Sequence, residues 1–183
     1  TDLSAFYFDI RKDSLYCDSK DSEKRKSCII VLNVILESLI KWFAPILSFT
    51  TEEIFTLINK DQESIHLQRF IKIPNKYSNE QIKKKWQELK KIRDICNISI
   101  EAKRASKDIG SSLEANLIIS LNEEIIEITK GIDFSELCIT SAVEIKKDTS
   151  EEVTVVTIKA EGKKCPVCWK IKKGDCEKHS LKS

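Results

Sequence analysis

Apolar residues recur at helical spacing through the first two-thirds of the chain and then change period. Leu3, Phe6, Tyr7 and Ile10 stand three and four apart, which predicts a helix over 1–17. Cys28, Val31, Leu32, Ile35, Leu39, Trp42 and Phe43 form a second stripe, predicted to be a core helix opened by Asp21 or Ser22 as N-cap. Pro45 disfavours helical geometry at Ala44 and ends or kinks that run. Thr50 with Glu53 reads as a capping box for a shorter helix reaching about Asn59. Ile65 to Ile73 reads as a mixed extended stretch closed by Pro74. Ser78 with Gln81 is a second capping box, after which Ile82, Trp86, Leu89, Ile92 and Cys96 carry one long helix to Ser106. Trp42 and Trp86 lie on these stripes and are expected in the core.

After Ile109-Gly110 the pattern is strand-like. Leu117–Leu121 reads as a buried strand and Glu123–Lys130 as a short helix stopped by Gly131. Leu137–Ile145 and Val153–Ile158 read as two further strands joined by the polar turn Asp148–Glu152. Gly162 hinges the chain into a lysine-rich tail. The fold class is therefore α+β and mostly helical: a partial helical bundle over 1–76, a long basic helix with a small α+β unit over 77–160, and a knuckle over 161–183.

The 183 residues include only 4 Gly and 3 Pro, which excludes collagen-like and linker-type chains and favours long helices. The longest mainly apolar stretch, 28–49, is interrupted by Asn33, Glu37, Lys41 and Pro45 and makes a poor membrane span. The chain has no methionine and no leader pattern, so Thr1 is expected to lie inside a longer, soluble chain. The net charge of +2 conceals segregation: residues 1–60 carry −1, 61–110 carry +5, 111–158 carry −7 and 159–183 carry +5. Two basic segments are either solvated faces or contacts for one anionic partner touched at two places.

Of 7 cysteines, Cys17, Cys28, Cys96 and Cys138 stand singly, as small apolar residues of a reducing cytoplasmic protein do. Cys165, Cys168 and Cys176 crowd near the end with His179. Cys165-Pro166-Val167-Cys168 and Cys176-Glu177-Lys178-His179 are two ligand pairs, each with two residues between. Three thiolates and one imidazole make a closed tetrahedral set suited to one structural zinc, with no open position for catalysis. Gly174 ahead of the second pair is expected to relax its turn. His66, alone in the extended stretch, is expected to be a surface or satisfied core residue.

No nucleophile, general base or paired acid stands out; Ser111-Ser112 reads as a turn or cap and Glu52-Glu53 as a helix start. The chain reads as a nucleic-acid-binding module without catalytic residues of its own. Single-stranded RNA loops are read by stacking on aromatics, while lysine and arginine hold phosphates. Trp169, fixed beside Cys168, either stacks on a base or packs over the metal core. Lys90, Lys91 and Arg93 on the long helix, and Lys163, Lys164 and Lys170 in the tail, are candidate RNA contacts. The rival reading is a non-catalytic zinc-containing interaction protein using the acidic 111–158 block.

Specific strings then carry a resemblance. Asp2-Leu3-Ser4-Ala5-Phe6-Tyr7-Phe8-Asp9-Ile10-Arg11-Lys12-Asp13, Trp42-Phe43-Ala44-Pro45-Ile46-Leu47-Ser48-Phe49-Thr50, Ile109-Gly110-Ser111-Ser112-Leu113-Glu114-Ala115 and Ala160-Glu161-Gly162 leading to Cys165 stand in that order. This resembles the C-terminal part of bacterial-type isoleucyl-tRNA synthetases, over nearly the whole chain. The resemblance implies an anticodon-binding bundle followed by a zinc-binding end, with tRNA(Ile) and its anticodon stem-loop as partner. It further implies a monomeric cytoplasmic ligase whose catalytic and editing domains, with ATP and Mg2+, lie upstream. The signature segments of class I catalytic domains are absent from these residues, and His179 stands where the family commonly has a cysteine after a longer spacer. A valyl- or leucyl-tRNA synthetase is the related alternative.

Overall fold

The computed structural model describes residues 2–61 and 63–179, with the backbone alone at Lys76; Thr1 and the end of the expected 161–183 segment lie outside the described residues. A π-helical segment, Asp2–Phe8, runs into α1 (Asp9–Cys17). There follow α2 (Glu23–Phe43), α3 (Ser48–Ile58), α4 (Glu80–Ala105), β1 (Ala115–Leu121), α5 (Glu123–Thr129), α6 (Phe134–Leu137), β2 (Ala142–Lys147), β3 (Thr154–Lys159), β4 (Lys163–Lys164) and β5 (Ile171–Lys172). The fold is α+β and mostly helical. Packing groups Thr1–Asp18 with Asn79–Ser183 as one unit and leaves Ser19–Ser78 as the other. The first helix thus packs with the later part of the chain, because Ile10 enters the core formed by α4 and β1.

In the Ser19–Ser78 unit, Ser22 caps α2 by accepting the Arg25 N–H. Ile46 and Leu47 N–H groups both reach the Phe43 carbonyl, at 2.9 and 2.8 Å, and turn the chain at Pro45. α3 begins at Ser48 with no side-chain cap, so Thr50 lies inside the helix and the expected Thr50 capping box does not form. Thr51 instead donates to the Leu47 carbonyl at 2.9 Å. Ile40, Ala44, Phe55 and Ile65 are buried together. Glu52 is no mere helix start, since one of its oxygens accepts from Ser64 Oγ at 3.0 Å and from the Ile65 N–H at 2.8 Å. The stretch after it is a short 3-10 turn, Ile65–Leu67, rather than extended chain at its start, and His66 is exposed. The expectation of a core Trp42 fails: it is 48% exposed, with Ile30, Val31, Val34 and Phe43 also exposed. Helical period identifies an apolar face but not whether a neighbour covers it, and here the buried cluster takes only Ile40 and Ala44 from this end of α2.

In the other unit, Asn79 rather than Ser78 caps α4, its side-chain oxygen accepting from the Gln81 and Ile82 N–H groups at 2.9 and 3.0 Å. Leu89, Ile92, Cys96 and Ile100 line the buried face of α4. Facing them, β1 alternates buried Ala115, Leu117, Ile119 and Leu121 with half-buried residues, as a strand covered on one side does. β1 lies centrally, parallel to β2 and antiparallel to β3, with Ile118 opposite Glu144 and Val156. Ser99 of α4 and Thr157 of β3 share a 2.7 Å hydroxyl contact across that interface. Trp86 is half-buried and meets Phe6 edge-on at 6.0 Å. Of the lone cysteines, Cys28, Cys96 and Cys138 are buried and Cys17 is partly exposed.

The expected strand over Leu137–Ile145 is shorter, because Asp133 caps α6 and keeps Phe134–Leu137 helical. Ile139 then takes a positive φ of 55° and redirects the chain, so that β2 starts only at Ala142. The Asp133 carboxyl loses hydration on partial burial, which alone would raise its pKa. Hydrogen bonds from Ser135 and Glu136, with Lys170 nearby, outweigh this and hold it below the ordinary carboxylate value. Glu136, buried on α6, accepts from Arg11 at 2.9 Å and Ser14 at 3.1 Å, fastening α1 to this unit.

Candidate functional site

The tail forms a knuckle whose first half is the antiparallel hairpin β4–β5, Lys163 opposite Lys172. Gly162 enters it at φ 133°, where any Cβ would collide with the Lys172 carbonyl, so it is a site of close backbone approach as well as a turn. Gly174 has no neighbour near its Cβ position and no positive φ, and so contributes none of the turn relief expected of it. Between the strands, the Cys165 N–H donates to the Lys170 carbonyl at 2.9 Å and the Trp169 N–H to the Cys165 carbonyl at 3.0 Å. This tight turn aims Cys165 and Cys168 to one side. A second turn, with the His179 N–H on the Cys176 carbonyl at 2.9 Å, aims the other pair at them.

The four candidate ligand atoms lie within 4.8 Å of one another. His179 Nδ1 is 3.5 Å from Cys165 Sγ and 3.3 Å from Cys176 Sγ, and Cys168 Sγ is 3.8 Å from Cys176 Sγ. A tetrahedron with metal–sulfur bonds of about 2.3 Å and a metal–nitrogen bond of about 2.0 Å has edges of roughly 3.5 to 3.8 Å. The cluster could therefore hold one zinc with little adjustment, and its sulfurs stand too far apart for a disulfide at about 2.05 Å. His179 Nε2 lies 2.7 Å from the Cys17 carbonyl, which can only accept. That nitrogen therefore carries the proton and leaves the Nδ1 lone pair facing the sulfurs, as a metal ligand requires.

Burial pushes both Cys165 and Cys168 thiols upward, but their surroundings then diverge. For Cys165, N–H groups of Cys168 and Val167 are foremost in overcoming burial and bring the pKa down to about 6. Cys168 has the neighbouring thiols Cys165 and Cys176 against it, and is pushed up to about 12. Such crowded thiols favour a cation that takes the place of their protons.

Ser141, unremarked in the sequence, secures this knuckle. Fully buried just before β2, it accepts the Ile171 N–H at 2.6 Å and donates to the Leu113 carbonyl, while its own carbonyl receives Lys172 Nζ at 3.1 Å. A lone serine beside a strand gives no signal of this, since its partners are 28 and 30 residues away.

Trp169 stands at φ 63°, 58% exposed, with Lys164 Nζ 5.8 Å from its ring. Lys163 and Lys164 are exposed on the same hairpin, and half-buried Lys170 reaches Ser135 Oγ at 3.5 Å. Trp169 and Lys170 line a cavity of about 450 Å³ together with Tyr16, Ile10, Leu113 and Ile139. The α4 candidates are not part of that lining. Lys90 pairs with Asp2 at 2.7 Å and lies 4.9 Å over Phe6, and Lys91, largely exposed, pairs with Glu88 at 2.7 Å. Arg93, with a side chain only 13% exposed, is engaged inside the fold, its Nε on the Leu137 carbonyl at 2.9 Å and its Nη2 on Asp9 at 3.2 Å.

No helix of the described residues is long and apolar enough to cross a membrane. Residues 1–119 match the family described as the anticodon-binding domain of tRNA ligase. Among curated proteins the chain is 70% identical over 179 residues to an isoleucine–tRNA ligase of Pelagibacter ubique, an alignment covering 98% of this chain and 20% of that protein. It is 40% identical to the isoleucine–tRNA ligases of Agrobacterium fabrum and Bartonella quintana, covering 93% of this chain and 19% of each. The chain spans about a fifth of the length of these relatives. With the helical segments, the basic α4 and the matched residues taken together, the chain belongs to the family of anticodon-binding domains of tRNA ligases.

Proposed function

We propose that the chain is the tRNA-binding, anticodon-side C-terminal portion of an isoleucine–tRNA ligase, the whole protein joining isoleucine to tRNA(Ile) at the expense of ATP. The similar proteins cited are all named for isoleucine, which favours this over a valine or leucine enzyme. On this reading ATP and Mg2+ belong to catalytic domains elsewhere in the longer protein, which acts as a cytoplasmic monomer. The functional segments are the bundle over 1–76, the junction over 77–160 and the knuckle over 161–183. Cys165, Cys168, Cys176 and His179 hold one zinc, which cross-links the two turns of the knuckle and takes no part in chemistry.

The observation that carries the RNA reading is the state of Trp169. A residue with a Cβ pays on the order of 1 kcal/mol or more to stand in the left-handed region. Its indole recovers little of that by burial, since more than half of it faces solvent. Held rigidly between a metal ligand and Lys170, with Lys164 over its ring, it offers a flat face beside cations to an unstacked base. Lys163, Lys164 and Lys170 supply phosphate contacts there, and Lys90 and Lys91 supply them on α4; Arg93 contributes by holding α1 and α6 in place. Titration of the zinc-loaded chain with a labelled anticodon stem-loop tests this. Binding should weaken linearly in log K against log salt, whereas a protein-binding module would show no affinity for the RNA.

A further inference from the structure

The knuckle does not end at its ligands. Cys17, last residue of α1, has a carbonyl among those a helix C-terminus leaves without an intrahelical partner. His179 Nε2 donates to it at 2.7 Å, across 162 residues of sequence. Beside it, Lys178 Nζ bridges Asp13 Oδ2 at 3.0 Å and Asp18 Oδ1 at 2.8 Å. Asp18 is nearly buried, its side chain 9% exposed. Two carboxylates at the negative end of a helix dipole repel each other unless a cation sits between them. Cys17 Sγ completes the contact by approaching the Val167 carbonyl at 3.7 Å.

The His179 ring therefore faces two ways, Nδ1 toward the thiols and Nε2 toward the helix. A metal that fixes Nδ1 fixes the direction of the Nε2 proton as well, since the ring is planar and rigid. We propose that Lys178 and His179 are positioning residues that clasp the metal knuckle onto the end of α1, so that metal loading sets how Tyr16 and Trp169 stand across their shared cavity. Tyr16 precedes the clasped Cys17 and Trp169 follows the ligand Cys168, so both aromatics are one residue from the clasp or the metal site. The consequence for RNA rests on the function proposed above; the clasp itself does not.

Hydrogen exchange on the whole chain, zinc-loaded and chelated, decides it. Chelation should raise exchange at amides 14–18 about ten-fold while the centre of α4 stays protected, as expected for losing a charge-assisted contact set. Lys178→Gln should do the same with zinc content unchanged, and Lys178→Arg should restore protection. Asp13→Asn, which leaves the sequence of the knuckle itself unchanged, should reproduce the Lys178→Gln change and decides the matter if Lys178→Gln loses zinc. Stem-loop affinity should fall several-fold in Lys178→Gln and return in Lys178→Arg. Unaltered exchange at 14–18 on chelation, or in both Lys178→Gln and Asp13→Asn, overturns the clasp. A zinc-loaded wild-type chain that ignores the stem-loop overturns the RNA reading instead, and the exchange results still stand for or against the clasp.

Discussion

Ser141 Oγ accepts the Ile171 N–H at 2.6 Å, joining the start of β2 to the second strand of the metal knuckle. The same hydroxyl donates to the Leu113 carbonyl, so one buried atom satisfies a donor and an acceptor from two other segments. Ser141→Ala leaves both without a partner, at a cost of about 1 to 3 kcal/mol each if they stay dry. We predict a lowered unfolding midpoint and faster exchange at the Ile171 amide, with zinc content maintained. An Ile171 amide as protected as in the wild type would show that the contact carries no stability.

One zinc per chain is expected, and Cys176→Ala should reduce it sharply, as read by elemental analysis of protein purified without added metal. Chelation should disorder residues from about Gly162 onward while the far-ultraviolet helix signal remains, because the α4 core contains none of the ligands. Uniform loss of helix on chelation would contradict this.

Trp169→Gly separates conformational strain from RNA contact. Glycine adopts φ 63° without penalty, so the variant should keep zinc and be at least as stable as the wild type. Removing a stacked base contact costs on the order of 1 to 3 kcal/mol. Stem-loop binding should therefore fall by about ten- to a hundred-fold, and, on the function proposed above, tRNA charging by the longer protein should fall while isoleucyl-adenylate formation persists. Full binding with zinc retained would remove Trp169 from the RNA face.

Arg93 and Lys91 lie two residues apart on α4 yet should behave differently. Arg93→Gln withdraws donors from the Leu137 carbonyl and Asp9 and should lower stability by about 1 to 3 kcal/mol. Lys91→Gln should leave stability within about 0.5 kcal/mol and reduce the salt slope of RNA binding by roughly 0.7 to 0.9. An unchanged slope would make Lys91 a solvated surface lysine.

Asp133 supplies a pH dependence. Its folded-state pKa lies below the ordinary value of 3.8, so the ionised form stabilises the fold above that value, and this contribution is lost as pH falls through the depressed pKa. Asp133→Asn keeps an N-cap acceptor without a charge, and should lose less stability between pH 5 and pH 3 than the wild type. Identical acid profiles would assign the acid sensitivity to other carboxylates.

Local periodicity was legible in the chain, whereas helix starts were less so: Thr50 and Ser78 both offer capping boxes, yet α3 opens uncapped at Ser48 and Asn79 caps α4. The α4 stripe, the alternation of β1, the Ser22 cap and the two ligand pairs depend on spacings of two to four residues, which the chain displays directly. The resemblance in the opening and in Trp42–Thr50 was legible for the same reason, as contiguous strings. Other features depend on which distant group arrives. Trp42 shares its helical period with buried residues, but exposure is decided by the neighbour that covers a face. Leu137–Ile145 has the composition of a strand, yet pairing with β1 starts only where the Ser141 N–H reaches the Ala115 carbonyl, so β2 begins at Ala142. Arg93 looks like any basic surface residue until Asp9 and the Leu137 carbonyl approach it from elements 84 and 44 residues away. Ser141, Lys178 and the second nitrogen of His179 acquire their roles only when folding brings segments more than 25 residues apart within hydrogen-bonding distance, because a polar side chain is satisfied by position in space and not by its place in the chain.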